Sequence, residues 1–449
     1  MTTLAELKLR EPVYLDVARG DETGLVFPAH EQALRDAGPE FLTEAFRAFG
    51  ALGDDNRVAR IVSLDHCEGG STGGKLFMTV EYENPDPALD TELFVKFSRD
   101  YDDRRRDHPG RYEMAAEVPF AAISRLPGFP TRVPAAYFAD YQMETGTGII
   151  ITERIPYGEH GIEPHRRKVM DHKTLDDPLA HYREVVRALA RLAAAHKSGR
   201  LSPDIAERFP FDPVAGSADP IRYSEAELQA ELDYCFEFAR RCPRLLPEVV
   251  RTEAFFARMK EDAFRVREHE ALIQRYLTGN TDFIALCHWN AHIDNCIFTR
   301  DEAGRLECGF IDWGRVGQLT FGSVLWGGLS AAHHDIWDNH LDELLGLFVS
   351  EYSGNGGPLI TVAELRLHLT LHLAAMGVAR VLAFPEVIMF RLPECVDASG
   401  PLDPMFEAVD PARNSLHIYT AFLKFWERED FGKALDLLIE RAAHDHMPA

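Results

Sequence analysis

The strongest constraint on the fold is where the β-prone residues sit. Short runs rich in Val, Ile, Phe and Thr cluster in residues 58–155 and again in 283–312, while most of the chain after Pro156 has helical spacing. Val58–Asp65, Lys75–Tyr82 and Glu92–Phe97 are separated by glycines or by the polar loop at 84–90, which predicts three strands of an antiparallel meander. A helix over Arg111–Arg125 follows. Two more strands are expected at Tyr137–Tyr141 and in the apolar run Gly148–Ile155.

Helix signals dominate the rest. Asp177 can cap a helix that has Pro178 at its first position, and Gly199 can stop it. Val185, Leu189, Leu192 and Ala193 form its apolar stripe. Ser224 and Glu227 have capping-box spacing before a second helix reaching about Arg240. Short strands are expected at Phe283–Cys287, Cys296–Thr299 and Glu307–Ile311, and amphipathic helices at Val362–Phe384 and Leu416–Arg428. Before the sheet region, Ala33, Leu34, Ala37, Phe41, Leu42, Ala45 and Phe46 recur near helical spacing. The expected organisation is α+β, in three parts: a helical leader at 1–55, a sheet lobe at 56–155 and a larger helical lobe at 156–449.

Composition narrows the setting. The 48 Lys and Arg against 72 Asp and Glu give a net charge of −24, which argues against nucleic-acid or anionic-membrane partners. Seven scattered cysteines with no CxxC pair read as reduced thiols of a cytoplasmic protein. The N-terminus has no apolar signal-peptide core, and the uncharged stretch from Val316 to His334 is too polar to span a membrane.

The chemistry concentrates in Cys287-His288-Trp289-Asn290-Ala291-His292-Ile293-Asp294-Asn295-Cys296. Asp312 follows Asn295 by seventeen residues, in Phe310-Ile311-Asp312-Trp313-Gly314. A polar loop between strands, then an Asp at the end of the next strand, offers the hard oxygens that Mg²⁺ takes alongside phosphate. Asn295 and Asp312 are the candidate ligands. Upstream, Lys96 stands inside the apolar run Phe94–Phe97 and needs an anionic partner, either Glu117 or nucleotide phosphates.

These residues resemble the aminoglycoside phosphotransferase-like group of small-molecule kinases, which includes choline kinase and ecdysteroid kinase relatives. The resemblance covers about residues 56–440. It implies the two-lobed protein-kinase-like fold, ATP and Mg²⁺ as cofactors, and a small-molecule hydroxyl acceptor. In that family the catalytic loop reads H-G-D-x-x-x-x-N, matched here by His288 and Asn295. Ile311-Asp312-Trp313 matches the second metal segment, Lys96 the strand lysine and Glu117 its helix partner. Glu153 and Ile155 resemble the hinge whose backbone holds adenine, and Leu189–His196 resembles the L-A-x-L-H-A-type helix. The Gly-rich stretch with Gly70, Ser71, Thr72 and Gly73 is expected to cover the phosphates. The acceptor pocket is expected between the catalytic loop and the helical segment around 215–280.

Two departures stand out. Asn290 occupies the position of the catalytic Asp, after Trp289 rather than Gly, and Gly322-Ser323-Val324-Leu325 lacks the carboxylate that braces the loop. The resulting readings are a slowed phosphotransferase, in which Asn290 orients the acceptor hydroxyl, or a pseudokinase that binds nucleotide without turnover. Gly69–Lys75 has Walker A spacing, but Leu76 and a strand follow where Ser or Thr and a helix are required. His288 and His292 with Cys287 and Cys296 are spaced irregularly for zinc. His288 reads as a buried loop histidine, Cys287 and Cys296 as small core residues, and His333, His334 and His444 as surface polar residues.

Overall fold

In a computed structural model, the alternating runs pair as the turn residues dictate. Residues 4–8, 10–67, 72–103, 107 and 110–444 are described. One hairpin forms the first sheet: β1 (Val17–Arg19) with β2 (Val26–Pro28). The main sheet contains β3 (Val58–His66), β4 (Lys75–Tyr82), β5 (Glu92–Phe97), β6 (Ala136–Gln142) and β7 (Thr147–Glu153). Its order is β3-β4-β5-β7-β6 and every pairing is antiparallel. In β4, Leu76, Met78, Val80 and Tyr82 are buried at alternate positions, the period-2 pattern of a sheet with one core face.

The chain divides differently from the three-part expectation. One compact unit comprises Met1–Glu163 and Gly309–Val316; the other comprises Pro164–Cys308 and Gly317–Ala449. The leader is therefore not separate from the sheet lobe. Phe41, Leu42 and Phe46 of the Glu31–Ala48 helix lie in one core cluster with Met78, Val80, Leu93 and Phe138. Arg99 reinforces this: its guanidinium donates to the Val13 carbonyl at 2.8 Å and pairs with Asp107, both side chains fully buried. The helix itself bends at Gly38-Pro39. Gly38 takes φ 66°, a conformation open to glycine, and Pro39 restarts the helix with no N–H to satisfy. The expected helix at Arg111–Arg125 is a 3-10 turn, Gly110–Ala116, followed by the shorter helix Glu117–Ile123.

The second unit is built around the Pro178–Lys197 helix, capped by Asp177. Val185, Leu189 and Leu192 on its apolar stripe are fully buried. The capping box at Ser224 and Glu227 is formed, opening the Glu225–Arg241 helix. Strand β8 (Ile284–Cys287) leads into the 288–295 loop, and β9 (Cys296–Arg300) and β10 (Leu306–Phe310) form a hairpin after it. A further strand, β11 (Gly317–Thr320), pairs with β8 and was not expected from sequence. The stretch Val362–Arg391 contains an 18-residue window with a mean hydropathy of 1.7 and is long and apolar enough to cross a membrane by length and composition. Here it packs as a core helix: Leu365, Leu369, Leu373 and Val378 are fully buried, and Gly377 abuts Phe422.

Candidate functional site

Lys96 sits on β5 with Ile150 of β7 opposite it and Lys75 of β4 on its other side. A lysine there is tolerable only with partners, and it has two. Its Nζ donates at 2.8 Å to Glu117 Oε2 and at 2.8 Å to Asp312 Oδ1. The Lys96 and Glu117 side chains are only 9% and 11% exposed, whereas Asp312 is 53% exposed. Burial works against the charged lysine, but the two carboxylates outweigh it and hold the ammonium above its ordinary range. Burial also pushes the Glu117 carboxyl up, against the pull of Lys96.

The segment carrying Asp312 is pinned from both ends. Phe310 N–H donates to the Arg132 carbonyl at 2.9 Å, and Arg315 N–H to the Glu113 carbonyl at 3.3 Å. Trp313 stacks on Phe120, with centroids 3.9 Å apart, and its indole N–H donates to the Phe310 carbonyl at 3.0 Å. Trp313 is thus a core residue, 4% exposed. Asp312 adopts φ 57°, a left-handed conformation that Asp tolerates better than most residues.

Of the Gly-rich residues, Gly70 and Ser71 lie outside the described residues. Gly73 has φ 62°, and a Cβ there would sit 1.8 Å from the Phe97 carbonyl oxygen, so no other residue fits. Gly74 exchanges hydrogen bonds with the Arg99 carbonyl (2.9 Å) and Phe97 N–H (2.8 Å). Lys75 Nζ closes the turn on the Thr72 carbonyl at 2.7 Å. The loop end is therefore clamped beside the residue that follows Lys96.

Glu153 pairs with Leu93, three positions along β5 from Lys96 and so about 10 Å away. Its carboxylate accepts from Ala135 N–H at 3.1 Å and Arg132 at 3.3 Å. Its carbonyl accepts from Thr152 Oγ1 at 3.0 Å, and the Ile155 carbonyl from Tyr157 N–H at 3.0 Å. The Glu153 side chain is thereby occupied in holding the strand end.

The other site residues belong to the helical unit. His288 is fully buried and its Nδ1 accepts from Asn290 N–H at 3.0 Å, a bond that helps shape the loop. Asn295 Nδ2 donates to the Asn290 carbonyl at 2.8 Å, which leaves Oδ1 as the oxygen a cation would take. Cys287 and Cys296 are buried in the flanking strands. Two further residues support this loop, and only the first, as part of a motif, was singled out in the sequence. His196, at the end of the Leu189–His196 motif, accepts Leu286 N–H through Nδ1 at 3.0 Å, and burial lowers its pKa to about 4. Gly327 of the Phe321–Leu329 helix lets that helix meet the Trp289 carbonyl, where a Cβ would come within 2.1 Å. His333 and His334, expected on the surface, are instead half-buried. His334 stacks on His417 with centroids 4.4 Å apart.

The residues present fit the cofactors that the resemblance implies. In the sheet unit, a buried ammonium and a glycine whose Cβ position is filled suit phosphates, and the Asp312 carboxylate is a hard oxygen donor of the kind a divalent cation takes; in the helical unit, the Asn295 amide oxygen is another. No family model matches the sequence, and no curated protein matches it. Among solved structures, the chain is similar to a choline kinase from Cryptosporidium parvum Iowa II, with 11% identity, TM-score 0.44, and 84% of this chain and 92% of that one covered. It is similar to a Plasmodium vivax ethanolamine kinase at 13% identity and TM-score 0.39, covering 80% and 81% of the two chains. A choline/ethanolamine kinase family protein from Mesorhizobium loti shows 16% identity and TM-score 0.36, with 88% and 98% covered.

Proposed function

We propose that this chain is a cytoplasmic, ATP- and Mg²⁺-dependent phosphotransferase acting on a hydroxyl group of a small molecule. The supporting observation is Lys96, a buried ammonium held by Glu117 and by the Asp312 carboxylate at 2.8 Å each. In this reading Lys96 grips the α- and β-phosphates and Glu117 orients it. Asn295 and Asp312 supply oxygens to Mg²⁺, and the Gly-rich stretch around Gly73 lies over the phosphates. Bound ATP and Mg²⁺ supply the phosphoryl group and neutralise its charge.

Asn290 orients the acceptor hydroxyl through its amide oxygen, which cannot take a proton at pH 7. A positioned base contributes ~10²–10⁴-fold, so turnover is slowed by about that factor. Transfer survives because its loose transition state depends mainly on positioning and charge neutralisation. The second reading, nucleotide binding without turnover, is favoured by that same Asn290. Both require nucleotide binding, which calorimetry tests first. MgATP should bind the wild-type chain, and Lys96→Met should weaken binding at least tenfold. Absence of MgATP binding by folded wild-type protein would overturn both readings.

A further inference from the structure

The first residues of the chain lie outside the stretch that the kinase resemblance covers, yet the sheet unit ties them to the residues that follow Lys96. The Leu7 carbonyl accepts from the Tyr112 hydroxyl at 3.3 Å, and the Arg10 carbonyl from Arg111 Nη2 at 3.0 Å. The Val13 carbonyl accepts from Arg99 Nη1 at 2.8 Å. Leu15 is held twice: the Tyr101 hydroxyl accepts from its N–H at 3.2 Å and donates to its carbonyl at 3.0 Å. The Tyr14 and Tyr101 rings each lie 5.2 Å from the Arg99 guanidinium carbon. Arg99 is itself buried and paired with the buried Asp107, so the leader is fastened to a fixed point.

The same residues support the candidate site. The Arg99 carbonyl accepts the Gly74 N–H at 2.9 Å, at the end of the Gly-rich stretch. Gly110, which opens the 3-10 turn, lies against Thr72, since a Cβ on it would come within 2.4 Å of Thr72 Cγ2. Leu7 shares a core cluster with Tyr112, Met114, Val118 and Ala121. Val118 and Ala121 stand on the helix whose first residue is Glu117, the partner of Lys96. The Glu113 carbonyl of the 3-10 turn accepts from Arg315 N–H at 3.3 Å, beside Asp312. The Gly-rich turn, the Glu117 helix and the Asp312 segment therefore rest on residues that the leader holds in place.

We propose that the leader, through Leu7, Arg10, Val13 and Leu15, is a positioning strap for the nucleotide site, with Arg99 and Tyr101 as the positioning residues that carry its hold to the Gly-rich turn. Segments with few buried contacts open locally, and a site already ordered avoids the cost of ordering at the moment of binding. The apparent affinity of a ligand follows the fraction of molecules in the competent state, which the strap raises. The use of the strap rests on the phosphotransferase reading, whereas the link from Leu15 to Gly74 stands on the geometry alone.

The test uses the full chain and two measurements. Without nucleotide, hydrogen exchange at single-residue resolution follows the Gly74 N–H. With MgATP, calorimetry gives Kd. Tyr101→Phe removes both Leu15 bonds and keeps the ring, and Tyr14→Ala removes one ring from Arg99. Tyr137→Phe is the control, because the Tyr137 hydroxyl likewise accepts from one N–H and donates once, but to Asp90. Tyr101→Phe should speed Gly74 exchange about tenfold and weaken MgATP about three- to tenfold, the scale of one or two net hydrogen bonds. Tyr14→Ala should move both in the same direction, and Tyr137→Phe should move neither. MgATP should also slow exchange of the Leu15 N–H in the wild type, since coupling between two sites acts equally in both directions. Unchanged Gly74 exchange in folded Tyr101→Phe or Tyr14→Ala, or equal speeding in Tyr137→Phe, would overturn the proposal. So would wild-type MgATP binding that Tyr101→Phe leaves unaltered. If one strap variant does not fold, the other decides. Absence of MgATP binding would overturn the phosphotransferase reading, while Gly74 exchange would still decide whether the leader holds the Gly-rich turn.

Discussion

Gly327→Ala is the sharpest structural prediction. The Phe321–Leu329 helix meets the loop that presents Asn290 at this glycine. A Cβ there would lie 2.1 Å from the Trp289 carbonyl oxygen and 3.1 Å from its carbon. Ordinary contact begins near 3.4 Å, so helix and loop must part by about 1.3 Å. The neighbour is backbone, so no rotamer change relieves the clash. Alanine gains about 1 kcal/mol over glycine from helix propensity, whereas overpacking costs about 1–3 kcal/mol, toward the upper end for a rigid carbonyl. The net expectation is a loss of about 1–2 kcal/mol. Gly328→Ala is the internal control. Its Cβ would meet Leu189 Cδ1 at 3.3 Å and Val185 Cγ1 at 3.6 Å, the far ends of side chains that can adjust. It should be neutral, or more stable by up to about 1 kcal/mol. Urea unfolding of both variants, at matched slopes, reads the difference directly. Displacing the loop should also disturb the Asn290 N–H bond to His288, so Gly327→Ala should lose turnover while Gly328→Ala keeps it. Equal stability of the two variants would refute the reasoning.

Other outcomes follow from the buried charges. Lys96→Met strands Glu117 without its cation and should cost about 3–5 kcal/mol in unfolding free energy, much of it recovered in Lys96→Met/Glu117→Leu. Burial lowers His368 and His372 to pKa values of about 4, below the ordinary 6.5 of the unfolded chain. Their contribution is therefore complete above pH 6.5 and is lost as pH falls through the window from 6.5 toward 4. By pH 5 each should cost up to about 2 kcal/mol. His372→Gln should flatten the urea-midpoint profile over that range, and an unchanged profile would contradict the assignment. Asp107→Asn should destabilise the sheet unit by about 3–5 kcal/mol by leaving the Arg99 guanidinium buried and half-paired, a change that urea unfolding would detect.

Much of this was legible in the residues. Strands β4 and β5 fall at Lys75–Tyr82 and Glu92–Phe97 as expected, because alternating apolar residues bounded by glycine and the 84–90 loop admit little else. The Lys96–Glu117 pair was legible because a lysine in an apolar strand demands an anion. Elements of three or four residues, such as β1, β2 and β11, carry too few positions to show a period. The attachment of the leader depends on contacts such as Arg99 with the Val13 carbonyl, which no local pattern encodes. The same holds for His334. Its polar character suggested the surface, and only its stacking on His417, 83 residues away, draws it inward.

The most direct test of the central claim is transfer itself. Wild-type protein is incubated with γ-labelled ATP, Mg²⁺ and a mixture of polyols, sugars and amino alcohols, beside Asp312→Ala and Asn290→Asp. The account predicts a slow labelled small-molecule product from the wild type, none from Asp312→Ala, and product formed ~10²–10⁴-fold faster by Asn290→Asp. Product formed equally well by Asp312→Ala, or no product from either the wild type or a folded, ATP-binding Asn290→Asp, would contradict it.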